Sequence, residues 1–315
     1  MTEFELIRRL IPMLPSNDGV VVGAGDDCAV LELGAPDAQT LLKTDAVVEG
    51  VHFRSGTEPE RVGHKALARC LSDVAAMGGT ATAAVVTLGL PSGFEPERVL
   101  GLYRGMQRLA VRHRVAIVGG ETTTNPGGLL VNVALVGSVS RGRALLRSGA
   151  RPGDALFVTG ELGGSIEGHH LDFEPRLEEG RWLAASGRVH ALMDVSDGLA
   201  GDLAKLLAAS GELGAEIRQS SLPIRRAARL RARAGDRVRP PVLAALTDGE
   251  DFELLFATAA ADAVGVQDAW RAAFPGTRLT CIGKVTPGPG QLLRTPQGLR
   301  PMPVRGYEHF QVNGS

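Results

Sequence analysis

Acidic side chains in this sequence recur just after short apolar segments that predict buried strands. The acids in such positions are Asp26, Asp27, Asp45, Glu121, Asp194 and Asp197. Ligands usually bind where the strands of an open sheet end, so these carboxylates are expected to project into a binding cleft. The sequence leaves open whether they converge.

Asp73 lies within the segment 60–77, whose apolar spacing predicts a helix. At about 100° per residue, the apolar residues cover roughly half of the helix surface, and Asp73 falls inside that arc. Lys65 and Ser72 are predicted to lie outside it. An ionised carboxylate on an apolar face is costly unless a cation or metal ion accompanies it. Taken alone, Asp73 fits a buried salt bridge and a metal ligand equally well.

Converging carboxylates would repel one another, and a hard divalent cation removes that repulsion. Mg²⁺ prefers oxygen ligands, so acids of this kind are suited to holding polyphosphates through magnesium. The sequence has no GxxxxGK[ST] phosphate loop, and Gly23-Ala24-Gly25 lacks the third glycine of a dinucleotide fingerprint. If the protein binds ATP, a metal-rich site is therefore expected.

The elements that must position these acids are mixed strands and helices in both halves, which predicts an α/β or α+β class. Strands are predicted over 20–22, 29–33, 40–44, 115–118, 129–139, 155–159, 189–194 and 252–257. Helices are predicted over 60–77, 95–114 and 199–209, the last capped by Ser196 or Asp197. A basic, turn-rich segment at 143–154 predicts a domain boundary, giving domains 1–142 and 143–315.

Composition excludes several classes of function. The formal net charge of −1 gives no general attraction to nucleic acid or to an anionic membrane. The cysteines Cys28, Cys70 and Cys281 are widely spaced and form no metal-finger pattern, which favours a reducing compartment. With no apolar stretch typical of a signal peptide or membrane span, a cytoplasmic location is expected.

The segment 224–241 holds seven arginines. A nucleic-acid patch is one interpretation of such a segment. Because no aromatic residue interleaves the arginines and the chain as a whole is not basic, we favour a solvated helix face.

Seven segments, in order along nearly the whole chain, resemble the thiamine-monophosphate kinase family. They read GAGDDCA at 23–29, TDAVVEGVHF at 44–53, KALARCLSDVAAMG at 65–78, LLRSGA at 145–150, MDVSDGL at 193–199, GEDFELLF at 249–256 and GYEHF at 306–310. Each segment alone is a weak signal, and seven in the right order are a strong one. The resemblance implies phosphorylation of thiamine monophosphate by ATP with several Mg²⁺ ions, without a general base.

The resemblance also implies a fold and a set of contacts. The fold would be the two-domain fold of aminoimidazole ribonucleotide synthetase, in which an N-terminal α/β domain forms a β-barrel across a homodimer and an α+β domain follows. The implied magnesium ligands are Asp27, Thr44, Asp45, Asp73, Glu121, Asp194 and Asp197. The implied ATP contacts are Gly120, Glu121, Arg147 and Ser196, and the implied substrate contacts are His52, Glu250 and Tyr307.

The sequence departs from the family pattern at four places. Glu121 stands where the family usually has aspartate, Asp248 where it usually has glycine, and Lys43 where a small residue is common. The segment 164–175 is short, which predicts a missing or truncated helix in the second domain.

Two alternatives to a thiamine-monophosphate kinase remain. One is a sister ATP-dependent synthetase of the same fold; aminoimidazole ribonucleotide synthetases have a similar strand end at the position of Glu121 but lack the segment VEGVHF, which is present here. The other is a non-catalytic paralogue that binds a nucleotide or a thiamine phosphate.

Overall fold

The computed structural model describes residues 3–232 and 239–302 of the chain. Within these residues the strands form two sheets, one from each half of the sequence. The mixture of strands and helices confirms the predicted class. The motif GYEHF with Tyr307, and part of the arginine-rich segment, lie outside the described residues.

The first sheet has six strands in the order β1-β2-β3-β6-β4-β5. They are β1 (Val20–Val22), β2 (Ala29–Leu31), β3 (Ala38–Val48), β4 (Thr80–Leu90), β5 (Ala116–Thr124) and β6 (Leu130–Ser140). Neighbours run antiparallel except β4 and β5, which are parallel. Its helices are α1 (Glu3–Leu10), followed by a 3₁₀ turn at Ile11–Met13, then α2 (Pro59–Ala76) and α3 (Pro96–His113).

The second sheet has seven strands in the order β13-β12-β9-β11-β7-β10-β8. They are β7 (Ala155–Thr159), β8 (Val189–Asp194), β9 (Gly214–Arg218), β10 (Leu254–Thr258), β11 (Leu279–Thr286), β12 (Gly290–Thr295) and β13 (Gly298–Pro301). Its helices are α4 (His169–Asp172), α5 (Leu177–Ser186), α6 (Leu199–Ala209), α7 (Arg226–Arg231), α8 (Pro241–Thr247) and α9 (Ala263–Ala273). Short 3₁₀ turns lie at Ser165–Glu167 and Gln219–Ser221.

Helix α2 lies between the two halves. On one side it packs on β3, β6 and α3, and on the other side it meets α4, α5 and β8. The approach is close on both sides: a Cβ atom at Gly63 would lie 1.9 Å from the carbonyl oxygen of Leu102, and one at Gly180 would lie 2.1 Å from that of Ala75. Side chains on nearly every face of α2 are therefore buried.

That double contact corrects one prediction. Asp73 is buried as expected, with 6% of its surface exposed. Lys65 and Ser72, which helical spacing placed outside the buried arc, are buried too. The spacing revealed the face of α2 against the first sheet, whereas the opposite face is covered by residues far away in sequence.

The alternation of β3 divides its side chains between two environments. Leu41, Lys43 and Asp45 lie on the face that α2 covers, and Leu42 and Thr44 lie on the exposed face. Strand β3 continues to Val48, so the prediction that Asp45 ends a strand is wrong.

Two further predictions are corrected, one on the end of a strand and one on a helix cap. Strand β5 continues to Thr124, so Glu121 lies within the strand and not after it. The N-cap of α6 is Gly198, with a φ of 99°, and not Ser196 or Asp197. The predicted strands at 155–159 and 189–194 and the predicted helix at 199–209 are confirmed to the residue.

Candidate active site

Three carboxylates from distant parts of the chain meet where the two halves join. One oxygen of each of Asp27, Asp73 and Asp194 lies within 4.8 Å of the others. All three side chains are buried, with exposed fractions of 1%, 6% and 3%. We call these three residues the acid cluster. The structure therefore brings together Asp73 on α2 and two of the acids that the sequence placed at strand ends, Asp27 and Asp194.

Each member of the acid cluster is held by a different element. Asp27 lies in the loop between β1 and β2, where its backbone N–H donates to the Asp26 carboxylate at 2.9 Å. Asp73 projects from α2, and Asp194 is the last residue of β8, opposite Leu254 on β10. The cluster therefore forms only when both sheets are packed around α2.

The partners of the acid cluster are few. The Arg147 guanidinium donates to Asp27 Oδ1 at 2.6 Å. The Lys43 ammonium lies 3.1 Å from Asp73 Oδ1. Asp194 Oδ2 accepts a hydrogen bond from the Ser72 hydroxyl at 2.6 Å. Within the described part of the chain, these three carboxylates therefore form ion pairs with two cations.

This shortage of positive charge appears in the acid pKa values. Burial, and then repulsion by the nearby Asp27 carboxylate, raise the pKa of Asp194 to about 7. Burial also raises the pKa of Asp73 well above its usual value, although Lys43 opposes the rise. The pKa of Asp26 rises to about 6, through burial and then through repulsion by Asp27. Such shifts are typical of sites that bind a charged ligand.

The cluster fits a hard divalent cation. Asp27 Oδ2 is buried and has no hydrogen-bond donor within the described part of the chain. A buried carboxylate oxygen without a partner is costly, and a bound cation would supply the missing interaction. The acid cluster offers oxygen ligands alone, which is the donor set that Mg²⁺ prefers.

Two other predicted metal ligands lie near cations. Asp45 forms an ion pair with Arg69, whose Nε lies 3.0 Å from Asp45 Oδ2. Repulsion by the Asp45 carboxylate contributes to the raised pKa of Asp73, after burial. Asp197 accepts a hydrogen bond from Lys205 at 2.5 Å. The metal-binding roles of Asp45 and Asp197 stay predictions.

Thr44 and Glu121 lie on the other face of the first sheet. Across β3, β6, β4 and β5, one row of paired residues contains Asp45, Val133, Val86 and Gly120. Glu121 belongs to the next row, where it pairs with Thr87. Side chains in adjacent rows point to opposite faces of the sheet, so Glu121 lies on the face opposite Asp45. Glu121 is exposed. Within this chain, Thr44 and Glu121 do not join the acid cluster, and their roles also stay predictions.

The predicted ATP contacts lie at the edges of this region. A Cβ atom at Gly120 would lie 1.8 Å from the carbonyl oxygen of Val86, so the close approach of β5 to β4 requires a glycine there. Ser196 accepts a hydrogen bond from the Glu250 backbone N–H through its carbonyl oxygen, at 2.6 Å. Arg147 also donates to the Gly25 carbonyl at 3.2 Å.

Two predicted substrate contacts, His52 and Glu250, are joined by Lys65. The Lys65 ammonium donates to the His52 carbonyl oxygen at 2.6 Å and to Glu250 Oε2 at 2.7 Å. His52 Nδ1 accepts the backbone N–H of Val48 at 3.1 Å, so a neutral His52 carries its proton on Nε2. Glu250 adopts a φ of +54°, an uncommon backbone conformation for a residue with a side chain. The third predicted contact, Tyr307, lies outside the described residues.

Apart from Arg147, sequence reasoning missed the cations that accompany the acids. Lys65, Arg69 and Lys205 were assigned no role, and Lys43 was noted only as a departure from the family. A signal for Lys43 existed: it lies two residues before Asp45 on the same strand, so alternation puts both side chains on one face. Lys205 follows Asp202 by one helical turn, with an ion pair of 2.8 Å.

The arginine-rich segment packs on the second domain in its described part. Arg231 forms an ion pair of 2.6 Å with Asp248, and Arg225 lies 3.6 Å from Asp251. Asp248 also accepts the backbone N–H of Gly164 at 2.9 Å, so this departure from the family pattern anchors the segment 164–175. That segment contains only a 3₁₀ turn and the four-residue helix α4.

Comparison with known proteins gives a consistent result. The family model for the AIR synthase related protein N-terminal domain matches residues 25–139, and the C-terminal domain model matches residues 151–294. The chain is 41% identical to a thiamine-monophosphate kinase of Rhodopirellula baltica over 274 residues, which cover 84% of each chain. It is 34% identical to a thiamine-monophosphate kinase of Bacillus subtilis, with 99% and 100% of the two chains covered.

The chain belongs to the thiamine-monophosphate kinase family.

A solved structure of a member of this family, described as AaThiL complexed with AMPPCP and TMP, superposes with a TM-score of 0.83. The two chains are 31% identical, and the match covers 98% of this chain and 97% of the other. The two-domain fold expected from the resemblance is therefore confirmed as that of AIR synthase related proteins, and the barrel across a homodimer stays a prediction. Within residues 3–232 and 239–302, no helix is both long enough and apolar enough to span a membrane.

Proposed function

We propose that the protein transfers the γ-phosphoryl group of ATP to thiamine monophosphate and forms thiamine diphosphate. The observation that carries the proposal is the acid cluster, with its unpartnered Asp27 oxygen, in a chain of this family. Thiamine-monophosphate kinases at 41% and 34% identity over most of the chain support the choice of acceptor. The ligands of the structural relative, an ATP analogue and TMP, support the pair of substrates.

Asp27, Asp73 and Asp194 would hold Mg²⁺ in this proposal, and more than one ion is expected. The further ligands would be Thr44, Asp45, Glu121 and Asp197. Bound Mg²⁺ neutralises charge on the polyphosphate and so reduces repulsion between two anionic substrates. The acids themselves are fixed by the packing of α2 between the sheets, so little reorganisation accompanies binding.

The acceptor oxygen belongs to a phosphate monoester that is ionised near neutral pH. No strong general base is needed, and none of the chain's residues is assigned that role. Arg147 presents a guanidinium beside Asp27, where it can donate to phosphate oxygens of ATP. Gly120, Glu121 and Ser196 complete the proposed ATP contacts.

The substrate contacts would be His52, Glu250 and Tyr307. Lys65 fixes the first two relative to each other, since one ammonium binds the His52 carbonyl and the Glu250 carboxylate. Glu250 keeps acceptor capacity for the aminopyrimidine of thiamine, because a carboxylate has several lone pairs. Tyr307 could stack on a thiamine ring.

A homodimer is part of the proposal. Leu42, Val85 and Val136 are exposed apolar residues that share one face of the first sheet with Thr44. Large apolar side chains grouped on one sheet face are typical of an interface. A second copy on this face would form the expected intersubunit barrel. The division into domains 1–142 and 143–315 and the cytoplasmic location are proposed with it.

A coupled assay of ADP release tests the function. Purified protein, ATP and Mg²⁺ are combined with thiamine monophosphate, or with plain thiamine as the control acceptor. ADP release with the monophosphate alone, and thiamine diphosphate as the product, would support both the reaction and its specificity. ATP binding without turnover would indicate a binding-only paralogue, and turnover with aminoimidazole precursors would indicate a sister synthetase.

A further inference from the structure

Lys43 places a cation inside the candidate metal site. It lies on β3 with its side chain on the face that α2 covers, the same face as Asp45. Its ammonium is 3.1 Å from Asp73 Oδ1, and the two side chains are 23% and 9% exposed. Burial alone would lower the pKa of Lys43, but the carboxylates of Asp73 and Asp45 raise it above its usual value.

The neighbouring cations are each committed to another acid. Arg147 donates to Asp27, and Arg69 pairs with Asp45. Among the described residues, Lys43 is the cation that forms an ion pair with Asp73. One oxygen of Asp73 lies in the 4.8 Å group with Asp27 and Asp194, so an ammonium on Asp73 stands beside a divalent ion bound there.

We propose that the Lys43 ammonium takes the place of one divalent cation at Asp73, so that the nucleotide-free protein binds fewer metal ions than a variant with a small residue at position 43. The inference rests on the metal-binding role proposed for the acid cluster and is independent of the phosphoryl acceptor. An ammonium and a divalent ion that share a carboxylate repel each other, and in a buried site this repulsion is weakly screened.

The competing interpretation is that Lys43 and Asp73 form an ion pair that supports the fold and leaves metal binding unchanged. The two interpretations differ in what happens when the charge is removed. If Lys43 occupies a cation position, its removal opens a metal site. If the pair is structural, its removal changes the stability of the fold and not the number of ions.

Binding of Mn²⁺ to nucleotide-free protein, measured by electron paramagnetic resonance of free Mn²⁺ and by calorimetry, distinguishes them. Three variants are informative: Lys43→Ser, which supplies the small residue, Lys43→Met, which keeps the length without the charge, and Lys43→Arg, which keeps the charge. Lys284→Met is the matched control, because it removes an exposed lysine on β11. Thermal unfolding of each variant checks that it is folded.

The proposal predicts that Lys43→Ser and Lys43→Met bind one more Mn²⁺ than the wild-type protein, or bind it at least about tenfold more tightly. Lys43→Arg and Lys284→Met keep the wild-type stoichiometry and affinity. Equal stoichiometry and affinity in Lys43→Ser, Lys43→Met and wild type would overturn the proposal, as would absence of Mn²⁺ binding in all of them. If Lys43→Met does not fold, Lys43→Ser alone decides. Formation of thiamine diphosphate by the wild-type protein would stand in either case.

Discussion

Buried carboxylates in two regions of this protein have similar exposed fractions but differ in their partners. Asp194 in the acid cluster is 3% exposed, and Glu253, in the second domain, is 2% exposed. Glu253 accepts hydrogen bonds from Thr159 Oγ1 at 2.7 Å and from Arg176 Nε and Nη2 at 2.7 and 2.8 Å. We call Glu253, Arg176 and Thr159 the Glu253 cluster. Two nitrogens of one planar guanidinium bind the Glu253 carboxylate, whereas in the described residues the three carboxylates of the acid cluster form ion pairs with two cations.

The difference separates structural acids from binding acids. A buried carboxylate with a bidentate arginine is charged, satisfied and strongly tied to the fold. A buried carboxylate with a raised pKa and an unpartnered neighbour is poorly satisfied in the folded chain alone. Burial by itself does not distinguish a structural acid from a binding acid. The number of hydrogen-bond donors around each carboxylate oxygen does distinguish them.

The largest effect is expected from removing one charge of the acid cluster. Asp194→Asn keeps an oxygen that can accept the Ser72 hydrogen bond and leaves no cation unpaired. We expect kcat/KM for thiamine diphosphate formation to fall about 10³-fold, because transition-state charge loses a metal ligand. Without Mg²⁺, the free energy of unfolding should not fall. Near-normal turnover at saturating Mg²⁺ would contradict the account.

The opposite result is expected in the Glu253 cluster. Arg176→Met removes the two guanidinium donors to Glu253 and leaves a buried carboxylate without its cation, which should lower the free energy of unfolding by about 3 kcal/mol or more. The measurement is denaturation by urea. Arg271→Met is the matched control, because Arg271 pairs with Asp268 on the exposed side of α9 and should cost less than about 1 kcal/mol. Equal effects of the two substitutions would remove the distinction between the clusters.

Mg²⁺ should stabilise the folded protein through the acid cluster and not through the Glu253 cluster. At about 100 times its dissociation constant, an ion that binds only the folded protein adds about 2.7 kcal/mol. We expect this gain in the wild-type protein and in Arg176→Met, and a much smaller gain in Asp194→Asn. The gain is read from unfolding midpoints with Mg²⁺ and with a chelator. Full stabilisation of Asp194→Asn would place the metal elsewhere.

A last effect is a dependence of stability on pH in the absence of Mg²⁺. Burial raises the pKa of Asp194 to about 7 and that of Asp251 to about 8, from a usual value of 3.8. Between about pH 4 and these values the folded chain holds protons that the unfolded chain has lost. The stabilisation is therefore complete below about pH 4 and is lost as the pH rises through 7 and then 8, at up to about 1.4 kcal/mol per pH unit for each proton.

Urea midpoints in chelator from pH 5.5 to 8.5 measure this dependence. Asp194→Asn should flatten the curve below about pH 7, and Asp251→Asn should flatten it up to about pH 8, because each group contributes a slope only below its folded pKa. Identical curves for the wild-type protein and both variants would show that these acids do not carry the raised pKa values.

The sequence predicted the elements that end in motif residues better than the elements that only complete a sheet. Strand β8 and helix α6 were predicted to the residue, because a turn with Asp194 and Gly198 separates a strand period from a helix period. Strand β4 was missed, since its sequence TATAAVVTLGL mixes small and polar residues with apolar ones. It is nevertheless a central strand, paired with β5 and β6.

The candidate site could also be predicted only in part, because local sequence patterns reveal the acids but not their partners. The acids were identifiable from their positions after strands and on α2. Their pairing with cations was not, because Arg147 and Asp27 are 120 residues apart in sequence and Lys65 and Glu250 are 185 apart. Pairs at that separation depend on how the two sheets pack around α2, which local periodicity does not encode. Thr44 and Glu121 were placed with the acids by motif alone, whereas the strand register places them on the opposite face.

The most direct test of the central claim is anomalous diffraction from crystals of the wild-type protein grown with Mn²⁺ and an unreactive ATP analogue. The account predicts a metal peak about 2.1 Å from oxygens of Asp27, Asp73 and Asp194, between those acids and the polyphosphate. A polyphosphate bound with its metal away from all three carboxylates would contradict it.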